Sequence, residues 1–339
     1  MNIIIIGSGI AGVTFAEKFR TLSPEAEITL LTKENYGYYS RPMLSRGFSQ
    51  DDIEQLIIIK SFDKLRKQNI RVLENVTVTA LDKAVQTVHI QGIKAIETLD
   101  YDRLIIATGS AAFIPPPFRP YCDSFYLFNS LHDLIELRQL RKRILHEKKR
   151  AMKWGIIGGG LIGCEVASDL AVSGDKVSLL HAEDRLMERQ LVAEDSLKLL
   201  AVMQSHSIDV KFQQAIQTIE KAGDQTSVIS NDGHFEFDAV IVSCGFKPRI
   251  DLAEQVGLET QRGIRVNQTL QTSDKHIFAL GDVAELPDSK LYAYILPIRH
   301  QALWLAAYLS AQETASWQPP AFSAVAKVHG FKADYPYVF

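Results

Sequence analysis

The chain begins with the sequence NIIIIGSGIAG over residues 2–12, which predicts a strand, a tight glycine turn and the start of a helix. Residues Asn2 to Ile6 are apolar and rich in isoleucine, and the turn that follows carries Gly7, Gly9 and Gly12. In such a unit one glycine permits the turn, one lets the backbone approach a pyrophosphate, and one lets helix and strand pack closely. The helix N-terminus adds free N–H donors and a positive dipole end. The stretch therefore predicts a dinucleotide-binding site.

The residues after this unit supply a second predicted strand, Ile28 to Thr32. In dinucleotide-binding units an acid about 20 residues beyond the glycines binds the ribose. Glu34 stands 22 residues beyond Gly12, close to that place, although Thr32 occupies the tip of the strand.

The same pattern recurs in the middle of the chain. An apolar run from Trp154 to Ile157 leads into GGGLIG over residues 158–163, with a helical segment to Gly174 and a further strand from Lys176 to Leu180. Two such fingerprints imply two dinucleotides bound by two domains. The economical pair is a flavin and a nicotinamide dinucleotide, because hydride passes between them directly.

Three more apolar runs end in turn residues, as expected for strands that complete these units. They cover residues 102–108 before Gly109, residues 239–245, and residues 276–279 before the sequence LGD. The carboxylate of Asp282 in the last of them is placed to accept hydrogen bonds from ribityl hydroxyls, although a helix cap is the ordinary role of such a residue.

Composition narrows the class of protein. The 339 residues are enough for two or three domains. A net charge of −3 gives no overall positive field for a nucleic acid, and no uninterrupted apolar stretch approaches the length of a membrane span. Cys122, Cys164 and Cys244 are too far apart for a Cys-x-x-Cys site, so we expect a reducing cytoplasm. The histidines show no metal-ligand spacing, so no metal is expected.

These motifs resemble those of the FAD-dependent pyridine nucleotide-disulfide oxidoreductases, and within them the rubredoxin-NAD reductases. Besides both glycine turns, the resemblance rests on YSRPMLS at 39–45, ATG at 107–109, GLIGCE at 160–165, GIRV at 263–266, ALGD at 279–282 and LPI at 296–298. It covers roughly residues 1 to 310.

The resemblance implies an α/β fold of the glutathione-reductase type, with two doubly wound, Rossmann-like domains. An FAD-binding domain would comprise residues 1–112 and 248–310, and an NAD(H)-binding domain residues 113–247. Residues 311–339 would form a shortened C-terminal segment.

Position by position, the resemblance also implies the residues that bind each cofactor. For FAD these are Gly7, Ser8, Gly9, Ile10, Ala11, Gly12, Thr32, Lys33, Arg41, Pro42, Val78, Ala107, Thr108, Gly109, Glu165, Gly281, Asp282, Ile295 and Lys327. For NAD(H) they are Gly158, Gly160, Leu161, Ile162, Gly163, Glu183 and Gly245.

Two of these residues, Arg41 and Glu165, are expected to form an ion pair beside the flavin, where a fixed positive charge stabilises the reduced ring. Lys327 corresponds to a flavin-contacting lysine of the family, but Val328 and His329 follow it where the family has Thr-Pro.

The nicotinamide nucleotide is expected to be NADH. An acid at the end of the strand from Lys176 to Leu180 would bind a ribose 2′-OH, and a basic pair would bind a 2′-phosphate. The sequence there is HAEDR over residues 181–185, with its acids displaced by two positions and only Arg185 firmly basic. This pattern favours NADH over NADPH.

The cysteines decide the type of chemistry. No cysteine lies between Tyr36 and Ser49, where many relatives carry a redox-active cysteine or pair, so dithiol and peroxide reduction are disfavoured. A flavin would then take hydride from NADH and release electrons singly to an external carrier. Because hydride transfer needs alignment rather than an acid or base, no proton-transfer residue is assigned.

The expected acceptor is rubredoxin or a similar small iron protein. Other readings are a ferredoxin reductase component, the flavoprotein module of a nitrite or nitric oxide reductase, or a non-catalytic flavin sensor that binds NADH. The basic stretch from Arg138 to Lys153 predicts either a docking patch for an acidic carrier or the solvated face of a helix.

Overall fold

The computed structural model describes residues 1–92 and 96–338. The described chain divides into two compact units. The first unit contains Met1–Ser40, Ile58–Ala111 and Lys247–Phe322. The second contains Arg41–Ile57, Ala112–Phe246 and the residues from Ser323 onward. The domain boundaries expected from the sequence stay a prediction; residues 41–57 and the C-terminal segment are the places where these units depart from them.

The first unit is built on a five-stranded parallel sheet. Its strands, in spatial order, are Ile277–Ala279, Arg103–Ile106, Asn2–Ile6, Glu27–Leu31 and Arg71–Leu73. In the central strands Asn2–Ile6 and Arg103–Ile106 every residue after the first is apolar and buried, as in parallel strands between covering layers.

Helices and short strands complete this unit. The helices are Ile10–Leu22, Phe62–Arg66, Asp251–Gln255 and Ile295–Leu309, with a short 3-10 turn at Gly281–Val283. An antiparallel sheet contains Thr77–Asp82, Thr87–Gln91 and Ile96–Asp100, and two-stranded pairs join Tyr38–Tyr39 to Ile58–Lys60 and Ile264–Arg265 to Ala284–Glu285. The last helix begins at Ile295, two residues before Pro297.

The second unit repeats the design on a four-stranded parallel sheet. Its strands, in spatial order, are Asp209–Lys211, Lys176–Leu180, Lys153–Ile157 and Ala239–Val242. An antiparallel sheet contains Ile216–Ala222, Gln225–Ser230 and Gly233–Phe237. The helices are Ile53–Leu56, Leu131–Lys148, Leu161–Val172 and Ala193–Ser205, and 3-10 segments span Arg41–Phe48 and Pro116–Ser124. Short strands at Ser110–Ala112 and Phe246–Pro248 lie where the chain leaves one unit for the other.

Two helices follow the glycine turns and position the candidate sites. The first glycine helix is Ile10–Leu22 and the second glycine helix is Leu161–Val172. The first buries an apolar face that includes Phe15 and Phe19 against the sheet. Both helices therefore start at the carboxyl ends of parallel strands, where ligands of doubly wound sheets bind. Among the described residues, no helix has the length and apolarity needed to cross a membrane.

Candidate functional site

In the first glycine turn, a side chain would clash at the first and last glycines but not at the middle one. Gly7 has a φ of +115°, and a Cβ atom there would lie 2.2 Å from the carbonyl oxygen of Ala107. A Cβ atom on Gly12 would lie 2.0 Å from the carbonyl oxygen of Gly7. By contrast, apart from its chain neighbours, no atom of the described residues lies within 4 Å of the Cβ position of Gly9. Packing therefore demands glycine at the first and last positions, and the middle one leaves its backbone accessible to a ligand.

The second turn has the same geometry. Gly158 has a φ of +112°, and its Cβ position is 2.5 Å from the carbonyl oxygen of Ser243. The Cβ position of Gly163 is 1.9 Å from the carbonyl oxygen of Gly158. At Gly160, within the described part of the chain, again nothing beyond the chain neighbours lies within 4 Å of the Cβ position. The two units thus present equivalent open backbones at equivalent points of their sheets.

Both helices begin at these open glycines. Gly9 and Gly160 are the N-caps, and in the described structure neither helix has a side-chain hydrogen bond at its cap. The first-turn N–H groups and the positive end of the helix dipole therefore face the turn, an arrangement that binds phosphate. This cradle fits the pyrophosphate of one dinucleotide in each unit.

The tip of the neighbouring strand fixes each turn. In the first unit the hydroxyls of Thr32 and Ser8 are 2.8 Å apart, and the Thr32 hydroxyl also accepts from the backbone N–H of Glu34. In the second unit the backbone N–H of Gly159 donates to Nδ1 of His181 at 3.0 Å. The second residue of each glycine turn is therefore bound by the residue that follows the second strand.

His181 occupies the place where an acid would bind a ribose. The ring is buried, and because Nδ1 accepts from Gly159, the neutral ring carries its proton on Nε2. Nε2 lies 3.0 Å from the carbonyl oxygen of Arg185 and 3.2 Å from the carboxylate of Glu188. Neither this role of His181 nor Glu188 was predicted from the sequence; the position of His181 at the strand tip was the available signal.

Residues 107–109 directly follow the strand Arg103–Ile106, at the point where the sequence predicted a strand to meet a turn. Ala107 is buried, and Gly109 has a φ of +67°. The Thr108 hydroxyl donates to the carbonyl oxygen of Arg249, whose guanidinium donates back to the Thr108 carbonyl at 3.0 Å.

The LGD segment of the first unit is also held by hydrogen bonds. Gly281, with a φ of +82°, donates its N–H to the side-chain oxygen of Gln301, and its Cβ position is 3.1 Å from Cβ of Ala11. The Ser110 hydroxyl donates to the Asp282 carboxylate at 2.7 Å. This segment thus lies beside the first glycine helix, where the sequence expected an FAD-binding strand end.

The other candidates of the first unit differ in exposure. Lys33 is exposed beside the tip of the second strand, and Val78 is half-buried in the antiparallel sheet. Ile295 is 45% exposed at the first turn of its helix, whose N-cap Tyr294 provides no side-chain cap.

In the second unit the carboxylate expected to pair with Arg41 is bound by Lys327. Glu165 is buried in the second glycine helix, and its Oε1 lies 2.6 Å from Lys327 Nζ and 2.9 Å from the Lys327 backbone N–H. Arg41 instead donates to the carbonyl oxygen of Asn129 at 2.5 Å, and Pro42 beside it is half-buried. In the described structure Lys327, 162 residues away in sequence, therefore occupies the place at Glu165 that was expected for Arg41, and the flavin-side roles of Arg41 and Glu165 stay predictions.

Burial raises the pKa of the Glu165 carboxyl, and Lys327 opposes that rise through its charge and two hydrogen bonds. Asp169, one turn further along the helix, adds to the rise. The Lys327 ammonium therefore favours the ionised form of Glu165, against the effect of burial.

A family model described as pyridine nucleotide-disulphide oxidoreductase matches residues 1–308. The chain belongs to this family. It is 33% identical over 321 residues to the nitric oxide reductase FlRd-NAD(+) reductase of Aliivibrio fischeri, an alignment that covers 94% of this chain and 81% of that relative. It is 32% identical over 315 residues to the rubredoxin-NAD(+) reductase of Alcanivorax borkumensis, covering 92% of this chain and 79% of the relative.

The chain also resembles a solved structure in its fold. The crystal structure of the covalent putidaredoxin reductase–putidaredoxin complex matches with a TM-score of 0.85 and 27% identity, over 97% of this chain and 79% of that chain. The resemblance and the α/β fold class read from the sequence are confirmed by these matches.

The remaining nicotinamide candidates of this pyridine nucleotide-disulphide oxidoreductase lie in the second unit. Leu161 and Ile162 are half-buried in the first turn of the second glycine helix. Gly245 has a φ of +109° and open space at its Cβ position. Glu183 is exposed on the loop after His181. Their binding roles stay predictions.

The three cysteines are free thiols. Burial raises the pKa of the Cys164 thiol, with the neighbouring Glu165 and Glu188 adding to the rise. Burial also raises the pKa of Cys244 to about 11. Both thiols are therefore protonated at neutral pH and are poor nucleophiles. Among the described residues, no group of three potential ligands is arranged to hold a metal ion.

Four of the eight cations of the basic stretch have partners, and its reading as a docking patch or a solvated helix face stays a prediction. Arg138 is buried and donates to the backbone carbonyls of Gly47, Gln50 and Asp51. Other members pair with buried carboxylates: Arg141 with Asp175, and Lys148 and Arg150 with Asp238. The exposed cations of the stretch are Lys142, Arg143, Lys149 and Lys153.

Proposed function

We propose that this protein is an NADH-dependent FAD flavoprotein that passes single electrons to rubredoxin or a similar small iron protein. One observation carries the proposal: two equivalent glycine turns, each with an accessible middle glycine at an uncapped helix N-terminus. One chain with two such cradles is suited to bind an electron-accepting and a hydride-donating dinucleotide together. The names of the relatives from Aliivibrio fischeri and Alcanivorax borkumensis support the same activity.

We assign the turn at Gly7 to Gly12 to FAD and the turn at Gly158 to Gly163 to NADH, as the resemblance implies. When bound, FAD accepts hydride from NADH and releases electrons one at a time. The uncapped N–H groups of each helix bind a pyrophosphate, and Thr32 and His181 keep the two turns in shape. Each turn would hold its own dinucleotide in a fixed orientation, which is a requirement of hydride transfer.

The Lys327–Glu165 pair is proposed to act beside the flavin. The Lys327 ammonium supplies the positive charge that favours a reduced, anionic ring, and Glu165 fixes the ammonium in place. This is the role that the resemblance implied for a basic residue paired with Glu165.

The electrons are proposed to leave to an external carrier rather than to a thiol. Cys164 and Cys244 are held as protonated thiols, and Cys122 is exposed and donates to the Arg119 carbonyl. The putidaredoxin reductase complex contains a small carrier protein, which supports the same type of partner. We propose that an acidic carrier docks near Lys142, Arg143 and Lys149, the exposed cations in and next to the helix Leu131–Lys148.

A second candidate acceptor is the redox centre of a nitric oxide reductase, because relatives at similar identity are named nitric oxide reductase FlRd-NAD(+) reductase. We also propose a cytoplasmic location, because the three thiols are free and a reducing compartment keeps them so.

The acceptor is tested by steady-state reduction with NADH as donor. Oxidised rubredoxin, a flavorubredoxin and a plant-type ferredoxin are compared by their kcat/KM values in the same buffer. We expect kcat/KM for rubredoxin or flavorubredoxin to exceed kcat/KM for ferredoxin by at least about tenfold, which is about 1.4 kcal/mol in transition-state stabilisation. Preference for ferredoxin would assign the protein to the other carrier class.

A further inference from the structure

The second glycine helix carries two buried carboxylates one turn apart. The side chains of Glu165 and Asp169 are 2% and 0% exposed. At this i, i+4 spacing both lie on one face of the helix. Two buried carboxylates so close together require partners, and the C-terminal segment provides one to each: Lys327 to Glu165 and His329 to Asp169.

His329 is fixed through both its backbone and its side chain. Its N–H donates to the Ser168 hydroxyl at 3.0 Å, and its Nε2 lies 2.8 Å from Asp169 Oδ1. Arg46 lies against the same ring nitrogen and donates to Asp169 at 3.1 Å. Ser49 donates to the same carboxylate oxygen at 2.7 Å. The charged groups around the imidazole are thus Asp169 and Arg46.

Lys327 stands two residues before His329 and is held by the same junction. Arg46 donates from its second guanidinium nitrogen to the Lys327 carbonyl at 3.0 Å. The Lys327 N–H and Nζ both reach Glu165. Because the backbone around Lys327 is tied on its carbonyl side to Arg46 and, through His329, to Asp169, these contacts set where the ammonium lies.

The end of the segment has an independent attachment. The backbone N–H groups of Asp334 and Tyr335 donate to the buried carboxylate of Asp195, and Lys198 pairs with Asp334. Loss of the His329 contact therefore loosens the segment locally, near Lys327, and leaves its far end bound.

We propose that His329 is a positioning residue: by binding Asp169 it clamps the C-terminal segment onto the second glycine helix and holds the Lys327 ammonium on Glu165. The clamp itself is independent of the assigned cofactor; its effect on the flavin rests on the proposed function. The feature belongs to this chain's own sequence, since His329 stands where the resemblance led us to expect a proline.

The test compares the FAD-loaded His329→Ala and His329→Gln proteins with His146→Ala, which changes an exposed histidine of the helix Leu131–Lys148. Hydrogen exchange of the peptides covering residues 326–331 measures how firmly the C-terminal segment is attached. The flavin midpoint potential reports the position of the Lys327 ammonium. Glutamine retains an N–H donor at similar reach and is expected to preserve the contact with Asp169.

We expect His329→Ala to exchange at least about tenfold faster at the Lys327 and His329 amides and to lower the flavin midpoint potential, because the positive charge moves away. His329→Gln and His146→Ala are expected to match the unaltered protein. Unchanged exchange in His329→Ala would overturn the clamp. Faster exchange with an unchanged potential would overturn the positioning role.

The failure of the proposed function has a different signature. If the unaltered protein binds no flavin, the midpoint potential cannot be measured. The role of the Lys327–Glu165 pair beside the flavin is then rejected together with the proposed function. The exchange arm still decides the clamp, since it needs no cofactor.

Discussion

His181 Nδ1 accepts the backbone N–H of Gly159, and a Cβ atom on Gly159 would lie 2.7 Å from Cγ of that ring. The strand tip and the glycine turn of the second unit therefore fit each other closely. Ser8 and Thr32 hold the equivalent positions of the first unit through a hydroxyl contact. Both turns are fixed by the neighbouring strand before any nucleotide is bound, and such preorganisation favours binding.

Replacing His181 by alanine is expected to raise the KM for NADH by roughly tenfold, about 1.4 kcal/mol, because the turn loses the group that fixes it. The bound flavin content should not change, since FAD is assigned to the first unit. The measurement is steady-state kinetics on flavin-loaded protein, with His234→Ala on the antiparallel sheet as the matched control. An unchanged KM would show that the turn holds its shape without His181.

The two glycines of the second turn are expected to respond differently to alanine. Gly160→Ala places its Cβ in open space, with a φ of −77° that alanine adopts freely, so stability should change by less than about 1 kcal/mol while NADH binding weakens. Gly163→Ala places its Cβ 1.9 Å from a carbonyl oxygen and should destabilise the second unit strongly.

Chemical denaturation and NADH titration separate the two effects. If Gly160→Ala binds NADH as the unaltered protein does, the open glycine does not face the nucleotide. If Gly163→Ala is fully stable, the close approach of helix and strand is not a requirement of this fold.

The sequence predicted the features that depend on neighbouring residues. These features are the glycine turns, the parallel strands before them and the two helices after them. They could be predicted because each is encoded within about 30 residues as a strand–turn–helix pattern. The family resemblance followed from these motifs and their order.

Contacts between segments that are distant in the sequence could not be predicted. Lys327 reaches Glu165 across 162 positions, and Arg138 is buried because it finds carbonyls at residues 47–51, so neither follows from local pattern. The basic stretch looked like a surface patch because its partners Asp175 and Asp238 lie on other elements. Buried partners of charged residues are a property of tertiary packing, which one sequence does not display.

Asp238 gives the second unit a defined response to acid. Burial raises the pKa of its carboxyl, but hydrogen bonds from Arg150, the Lys153 backbone and Lys148 lower the pKa by more than burial raises it, to about 2. A depressed pKa contributes stability above the unfolded value near 3.8, and that stability is lost as the pH falls through about 2. The shift corresponds to about 2 kcal/mol.

We therefore expect Asp238→Asn to lower the unfolding free energy by about 2 kcal/mol at pH 6, with the difference shrinking between about pH 4 and pH 2. Urea denaturation over that pH range measures it, and the exposed Asp224→Asn is the control. A difference that is constant with pH would mean that ionisation of Asp238 does not contribute.

The docking proposal predicts a charge-reversal effect confined to the acceptor half of the reaction. Lys142→Glu with Arg143→Glu should lower kcat/KM for rubredoxin by about tenfold at low salt and by less at high salt, because electrostatic steering is screened. The KM for NADH should not change. Lys67→Glu with Lys332→Glu, at other exposed positions, is the matched control. Equal losses in both double variants would place docking elsewhere.

The most direct test of the account is anaerobic stopped-flow absorbance of the FAD-loaded protein mixed with NADH and then with oxidised rubredoxin. We expect the flavin absorbance to bleach rapidly, faster with NADH than with NADPH at equal concentration, and to return when rubredoxin is added. A protein that retains no flavin, or a bound flavin that NADH does not bleach, would contradict the assignment of two dinucleotides to the two glycine turns.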